Sequence, residues 1–559
     1  MSRGNRHSRA RRRRLHRELL LVGIAFLLTV SWLGAIYLLT DDGAKPARVA
    51  APSGPRAGVL ANPPLLGMPV IPTIVAENRR PGTTQWRLPP GTVTSGIEGY
   101  ADKVSAVEGD AVTLYVSSAS EFHIEAYRMG YYGGTGARLV WTSPVLPALV
   151  QAKPVIAANR MVDARWRAST QLTVGPDWTP GDYLLKLVGG GPAQHYVPLT
   201  VRNDTSTAAI EIVNAVTTWQ AYNYWGNYSL YKGPYANPKL RSNIVTFDRP
   251  YDNDGSADFL GNEYPLVSLA EQLGLDVTYV TSVDVAAHPE RLPTHKAVLS
   301  LGHDEYWSLA MRNGVEAARD HGTNLAFFGA NAVFRRIRLE SSPLGPMRHE
   351  VNYRSAALDP DTGKDNAQVT TSWREPPAAR PESSLTGVLY ECNPVNVDGV
   401  VAAATAWMFA GSGVRNGDHI PGLVGSEYDR VTPQVPTPGT IQVLFHSPLT
   451  CRGKRSYSDA SYYTAPSGAG VFSTGTGAWI CKLLTGCPAD RPMVPDPRIR
   501  QITANILTAF AAGPAGTAHP STPNLVALGI TRTPLRTSST APAAAGTAAA
   551  TTTAAPASG

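Results

Sequence analysis

At 559 residues the chain exceeds what a single hydrophobic core organises, and two or three domains are expected. Its 43% hydrophobic and 17% charged residues are those of an ordinary globular protein, which excludes a wholly disordered or fibrous chain. The formal charge of +7 would suit a nucleic-acid partner if it were spread over the fold, but Arg3, Arg6, Arg9, Arg11, Arg12, Arg13, Arg14 and Arg17 account for essentially all of it. No nucleic-acid footprint is left for the folded region.

Residues 1–18 therefore read as a basic cytoplasmic tail. From Leu19 to Leu39 the stretch LLLVGIAFLLTVSWLGAIYLL carries no charge. At about 1.5 Å per residue it spans roughly 30 Å of hydrocarbon, a full transmembrane helix. Arginines before it and Asp41 and Asp42 after it orient its amino terminus inside. A cleaved signal peptide is the competing reading, but its apolar region is usually about 7–15 residues and ends at a small-x-small site. The expectation is a single-pass membrane protein, with the amino terminus cytoplasmic and the remaining domains extracytoplasmic.

Residues 40–88, rich in Pro, Ala and Gly, read as a stalk. Over 89–204 the runs AVTLYVSS, EFHIEAYRMGYY and DYLLKLVGG, separated by Gly, Pro and Asp turns, predict a β-sandwich. From residue 205 to 515 strands alternate with helices. AAIEIVNA, DVTYVT, KAVLSLG and NLAFFGAN read as strands, YPLVSLAEQLG and WSLAMRNGVEAARDHG as helices, which gives a parallel sheet covered on both faces. The low-complexity run over 516–559 reads as disordered.

In such sheets ligands bind beyond the carboxyl ends of the strands. After KAVLSLG come His303, Asp304, Glu305, Tyr306 and Trp307. Helix capping accounts for one carboxylate there but not for the whole set, so His303, Asp304 and Glu305 are the catalytic candidates. TTWQAYNYWGNYSLY, over 217–231, follows the first strand of this region. Its Trp219, Tyr222, Tyr224 and Trp225 are candidate pocket residues, together with Asn331 after NLAFFGAN, although aromatic loops are also ordinary packing. Arg335, Arg336 and Arg338 suit an anion, with surface ion pairs as the plainer account. The signatures G-x-S-x-G, H-E-x-x-H and G-x-x-x-x-G-K-[ST] are absent, leaving a metal or acid-base site built from Tyr, His, Asp and Glu.

Four cysteines, Cys392, Cys451, Cys481 and Cys487, fall on the oxidising side of that topology. Three pairings are possible, of which Cys392 with Cys451 and Cys481 with Cys487 is favoured. The spacing lacks the C-x-x-C pairs of structural zinc.

Read together, IEGYADKVSAVEGDAVTLYVSS, YRMGYYGGTGARLV, TWQAYNYWG, FDRPY, GHDEYWS, FFGANAVFRRIR and GLVGSEYDRV resemble the large (beta) subunit family of N,N-dimethylformamidase over residues 95–512. The resemblance implies a glutamine-amidotransferase-like α/β domain after a β-sandwich, and hydrolysis of linear amide C–N bonds at one iron held by two tyrosines and a glutamate. Tyr306 in GHDEYWS matches one tyrosine and Tyr264 in GNEYPLVSL falls where the second would be. Val388 stands after the Thr-Gly pair where the family carries its glutamate. Glu391, one short step on, is then the ligand expected, with Glu427 the other candidate. The resemblance also implies a small-subunit or homo-oligomeric partner. The competing function is a non-catalytic surface protein that keeps the fold and binds a cell-envelope ligand such as a glycan.

Overall fold

The computed structural model describes residues 72–484 and 493–530. The basic tail, the apolar stretch 19–39 and most of the stalk lie outside the described residues, and among the described residues no helix is long and apolar enough to cross a membrane. The described residues all belong to one compact unit.

Strand alternation builds the first half. β1 (Ile97–Ala101), β3 (Ala111–Ser118) and β8 (Thr170–Thr173) form one sheet. The other has the order β2-β10-β9-β4-β5, from β2 (Ser105–Val107), β4 (His123–Met129), β5 (Ala137–Thr142), β9 (Gly181–Val188) and β10 (Gln194–Arg202). A small ribbon pairs β6 (Val155–Ile156) with β7 (Val162–Asp163). On β3 Val112, Leu114 and Val116 are buried while Thr113, Tyr115 and Ser117 are half-buried, the period-two pattern of a strand with one face on a core. They meet Ile124, Leu185 and Leu187 of the second sheet in one apolar cluster. β9 is buried on nearly its whole length, because its other face, with Tyr127 and Tyr196, packs on Val216, Trp219 and Tyr264 of the second half.

The second half carries a seven-stranded sheet of order β13-β11-β14-β16-β23-β22-β21. Its strands are β11 (Ile210–Asn214), β13 (Val277–Thr281), β14 (Ala297–Leu301), β16 (Asn324–Phe328), β21 (Gln442–Cys451), β22 (Lys454–Thr464) and β23 (Gly470–Ser473). The first five in space are parallel, and β22 and β21 continue antiparallel. The runs IEIVN, AVLSL and NLAFF are buried at every position, as strands covered on both faces must be. One face is closed by helices Tyr264–Gln272 and Pro497–Ala512, the other by Ser282–Ala287 and Leu309–Asp320. A second sheet, β12 (Ile244–Thr246), β18 (Gly345–Val351), β17 (Arg335–Ser342) and β15 (Tyr306–Ser308), stands beyond the strand ends, and a hairpin joins β19 (Leu389–Val400) to β20 (His419–Arg430). The mixed sheets with flanking helices agree with the α/β class.

The two halves are joined by a buried ion pair. Arg128 on β4 and Glu271 are both fully buried, with Nη2–Oε1 at 2.7 Å and Nη1–Oε2 at 3.1 Å. Tyr279 and Asn78 also donate to that carboxylate, at 2.7 and 2.9 Å. The stalk expected to residue 88 ends earlier, since helix Pro72–Asn78 and the buried Trp86 are packed at this seam. The tail expected from residue 516 starts later. Asn524 exchanges two 2.8 Å hydrogen bonds with the backbone of Val443, and Leu525, Leu528 and Ile530 pack on the core. In both corrections a few apolar side chains in a polar run find full partners, which composition averaged over the run conceals. Residues 531–559 lie outside the described residues.

Candidate active site at the strand-order reversal

The chain leaves β11 toward β13 on one side and returns to β14 on the other, so the loops after β11 and β14 diverge and open a crevice between them. The loop after β11 is helix Val216–Tyr222, which ends at Tyr222. The segment then folds back, with Leu230 N–H donating to the Ala221 carbonyl at 3.0 Å, and this sets Tyr231 against Tyr222 with centroids 4.2 Å apart. The loop after β14 is fixed to that helix: the Thr218 hydroxyl accepts from Glu305 N–H at 3.0 Å, and the Thr217 hydroxyl donates to the Tyr306 carbonyl at 2.9 Å.

These constraints bring three oxygens together. Tyr222 donates to Glu305 Oε2 at 2.8 Å and lies 2.8 Å from the Tyr231 hydroxyl, which itself donates to Glu305 Oε2. Burial and the neighbouring Glu305 carboxylate hold both phenols well above their ordinary pKa. Arg335 Nε stands 3.5 Å from Glu305 Oε1, and the Arg354 guanidinium lies 4.0 Å from the centroid of the Tyr231 ring. His303 Nε2 is 3.2 Å from Glu427 Oε2, 3.4 Å from Glu305 Oε2 and 3.2 Å from Asn331 Nδ2. Burial opposes the His303 charge, yet the Glu427 and Glu305 carboxylates outweigh it and raise the ring to about 9. Glu427 is likewise opposed by burial, and the His303 charge leaves it below the usual carboxylate range. Glu427 Oε1 accepts from Asn393 Nδ2 at 2.5 Å. Asn393 follows Cys392, whose disulfide to Cys451 ties β19 to β21.

Asn331 and Val333 both have positive φ, 61° and 60°. For a β-branched residue this conformation is costly and persists only when its surroundings fix it. Asn331 N–H donates to the buried Asp429 at 2.8 Å and Val333 N–H to the Asp304 carbonyl at 2.9 Å, which hold the turn that carries Asn331 to His303.

Several expected residues lie elsewhere. Asp304 points away from its neighbours, as alternate residues of an extended segment do, and accepts from Ser300 at 2.8 Å among Val213, Val298 and Met311. Burial raises it to about 7. Tyr264 does not face Tyr306. As the first residue of its helix it is directed into the seam, where its hydroxyl donates to the Gly130 and Gly136 carbonyls at 3.3 Å and its ring packs on Trp86. Glu391 pairs with Tyr428 at 2.7 Å and Arg430 across the hairpin and with Ser456 of β22, away from the crevice. Tyr264, Tyr306 and Glu391 thus cannot grip one cation. Tyr306 is fully buried beside the Tyr222 and Tyr231 rings, its hydroxyl accepting from Arg354 at 3.2 Å. Tyr224 and Trp225 turn outward, donating to the Gly233 carbonyl at 2.6 Å and to Glu98 at 3.1 Å. Trp219 lines a neighbouring cleft. Arg338 pairs with Glu340 and Asp361, a plain ion-pair role, and Arg336 donates to the Ala367 carbonyl. Cys481 is disulfide-bonded, and its expected partner Cys487 lies outside the described residues.

The residues not foreseen in this role are Tyr231, Arg354 and Asn393. Tyr231 ended the aromatic run already singled out, and its spacing of nine from Tyr222 carries no periodic signal because a non-helical loop returns it.

The donor set is hard: two phenols and a carboxylate, with an imidazole–carboxylate pair beside them. Among the described residues no group of three or more His, Cys, Asp or Glu is placed to hold a metal, so any metal there would rest on phenol oxygens.

No curated protein matches the chain. Two of the solved structures that match serve as examples. A chain solved for the structural basis of T cell specificity and activation by the bacterial superantigen toxic shock syndrome toxin-1 has 14% identity over 19% of this chain and 99% of its own. A Paenibacillus sp. cycloisomaltooligosaccharide glucanotransferase complexed with cycloisomaltoheptaose has 11% identity over 43% of this chain and 28% of its own. At a TM-score of 0.13 each, neither bears on the fold or the site. The family model described as N,N-dimethylformamidase beta subunit-like, C-terminal, matches residues 123–490, about two thirds of the sequence and all of the crevice. The chain belongs to the N,N-dimethylformamidase beta subunit-like family.

Proposed function

We propose that the protein hydrolyses linear amide C–N bonds outside the cytoplasmic membrane, anchored by the apolar stretch 19–39. The observation that supports this best is the convergence of Tyr222 and Tyr231 on Glu305 beside the His303–Glu427 pair, at the crevice of the sheet. Two tyrosines and one glutamate are also the ligand types the family implies for iron, here drawn from residues other than Tyr264 and Glu391. The domain reading that goes with it is a β-sandwich over 89–204 followed by a glutamine-amidotransferase-like domain.

Tyr222, Tyr231 and Glu305 would hold the metal, with Tyr306 packed behind their rings. A hard cation at such a site supplies Lewis acidity toward an amide carbonyl and acidifies a water. The chain's own residues do the rest. Glu427, ionised against His303, is the base that accepts a proton from the attacking water at its Oε2. His303 is the acid that returns a proton to the amide nitrogen as the C–N bond breaks, giving a carboxylic acid and an amine. Asn331 lies beside the His303 ring, and Arg354 is placed to bind negative charge that develops beside the tyrosines.

The test is amine release from N,N-dimethylformamide and other small amides by full-length protein in detergent. Hydrolysis lowered about 10²-fold in Glu427→Gln with metal content kept is expected. Full activity in that variant would remove Glu427 from the reaction. Protein that carries no metal under reducing and oxidising loading would favour the non-catalytic binding protein.

A further inference from the structure

Three arginines come together at one end of the four-stranded sheet, beside the crevice. In that sheet Ile244 of β12 and Arg338 of β17 both stand opposite Val351 of β18. Because both pairings are antiparallel, the chain before Ile244, after Val351 and before Arg338 runs out in one direction. Arg241, Arg354 and Arg335 each lie three residues out from that row, and Arg335 is paired with Tyr306 on β15. We propose that Arg241 and Arg335, with Arg354 between them, bind a carboxylate carried by the substrate, an amide whose anionic group lies close to the bond to be cut, as in an N-acyl amino acid. For its amide this assignment rests on the hydrolysis proposed above; the binding of the carboxylate does not.

The side chains follow the backbone. Arg335 Nε is 3.5 Å from Glu305 Oε1, and Arg354 Nη2 donates to the Tyr306 hydroxyl at 3.2 Å. Arg241 is near enough to feel both: burial lowers its pKa, and the charges of Arg354 and Arg335 lower it further. Arg354 itself has a φ of 62°, a costly conformation for a residue with a side chain. The two residues before it hold it there, Asn352 N–H donating to the Asn243 carbonyl and Tyr353 N–H to the Thr370 hydroxyl, each at 2.9 Å. Strain held in place by its surroundings marks a side chain whose direction matters.

Positive charge is in excess here. Elsewhere Arg128, Arg348 and Arg374 are each matched by a carboxylate of their own, Glu271, Asp248 and Glu382. Among the described residues the ion pair of Arg335 with Glu305 is the one that these three arginines make. Glu305 is also the acidic neighbour of Arg354, and it already accepts from two phenols. Arg241 makes one side-chain hydrogen bond, from Nη1 to the Pro238 carbonyl at 3.4 Å, and its neighbours Arg354, Arg335 and Arg160 are cations. The Nε atoms of Arg241, Arg335 and Arg354 are buried without a hydrogen-bond partner, while the residues themselves are half-buried and reached from solvent. An anion supplies the missing acceptors.

Chemistry narrows that anion. A guanidinium fork matches a planar carboxylate through two parallel N–H···O bonds. Phosphate is the poorer fit, since Glu305 stands among the arginines and repels a doubly charged group more than a singly charged one. Arg335 touches both the Glu305 carboxylate and the Phe334 ring, so a carboxylate bound there lies beside the tyrosines that converge on Glu305. That is why the anionic group belongs near the amide and not at the far end of a long substrate.

Saturation-transfer NMR on the full-length protein in detergent tests this with two probes. Levulinate has a methylene in place of the amide nitrogen of N-acetylglycine, so nothing in it can be hydrolysed, and 5-hydroxypentan-2-one is its neutral counterpart. Levulinate is expected to bind about tenfold or more tighter than the alcohol, and that preference to be lost in Arg241→Gln and in Arg335→Gln. Each variant is first shown to keep the wild-type unfolding temperature, and Arg241→Gln covers the case in which removing Arg335 disturbs Glu305. Equal binding of the two probes, an undiminished preference in both variants, or displacement of levulinate by equimolar inorganic phosphate would overturn the proposal. N-acetylglycine then separates the site from the reaction. Glycine release, with a raised KM in Arg241→Gln, supports both, whereas levulinate bound with its preference and no amide hydrolysed would support the carboxylate site and count against the hydrolase.

Discussion

Two tyrosine-rich clusters in this protein differ in what their hydroxyls face. At the crevice, Tyr222 and Tyr231 point at one buried carboxylate, Glu305, with His303 and Glu427 beside it. At the seam between the halves, Tyr264 points at two backbone carbonyls and meets Trp86 edge-on and Phe259 at a tilt. A phenol facing a carbonyl is a satisfied donor and has no reason to ionise. One facing a carboxylate shares a proton that a cation could replace. The partner, more than the residue type, separates a ligand from a packing residue.

The comparison can be broken most decisively by exchanging one atom in each cluster. Glu305→Gln should lower amide hydrolysis by about 10³-fold or more, since Lewis acidity is worth several kcal/mol. Tyr264→Phe should leave turnover unchanged and cost under about 1 kcal/mol of stability for its two long hydrogen bonds, as read by denaturant unfolding. The seam responds in stability instead. Arg128→Met strands the Glu271 carboxylate without its cation and should destabilise by about 3–5 kcal/mol, seen as a lower denaturation midpoint.

A pH series sharpens the same contrast. His195, buried at the seam with Nδ1 2.9 Å from the Tyr196 carbonyl, is pushed down to about 4 by burial. Its folded pKa lies below the unfolded value, so the unfolded chain takes up the proton first. Its contribution is complete above about pH 6.5 and is lost as pH falls toward 4, on the order of 3 kcal/mol in all. His195→Gln should flatten that part of the stability profile, measured by unfolding at each pH. The crevice responds in turnover: Glu427→Gln should reduce it about 10²-fold while leaving unfolding near wild type, because one general base is removed without opening the core.

Much of the architecture was legible because it rests on short-range patterns. The buried runs IEIVN, AVLSL and NLAFF and the amphipathic helix Leu309–Asp320 are written in periodicities of two and 3.6. The strand-end rule likewise led to His303, Glu305, Tyr222 and Asn331, which do meet. It failed where facing depends on one residue of register. Asp304, between two site residues, turns to Ser300 instead, and the place of Tyr264 ahead of its helix, where the family's second tyrosine would fall, does not encode the direction of a helix's first side chain. Glu391 and Glu427 lie on paired strands of one hairpin, and only tertiary packing decides that Glu427 reaches His303. Trp86 and Asn524, isolated in polar runs, show the same limit at the domain edges.

The most direct test is metal content by elemental analysis, with visible absorption from tyrosinate bound to ferric iron, across four single variants of the full-length protein. Metal and colour are predicted to be lost in Tyr222→Phe, Tyr231→Phe and Glu305→Gln and kept in Tyr264→Phe. Loss of metal in Tyr264→Phe, or its retention in the other three, would contradict the account.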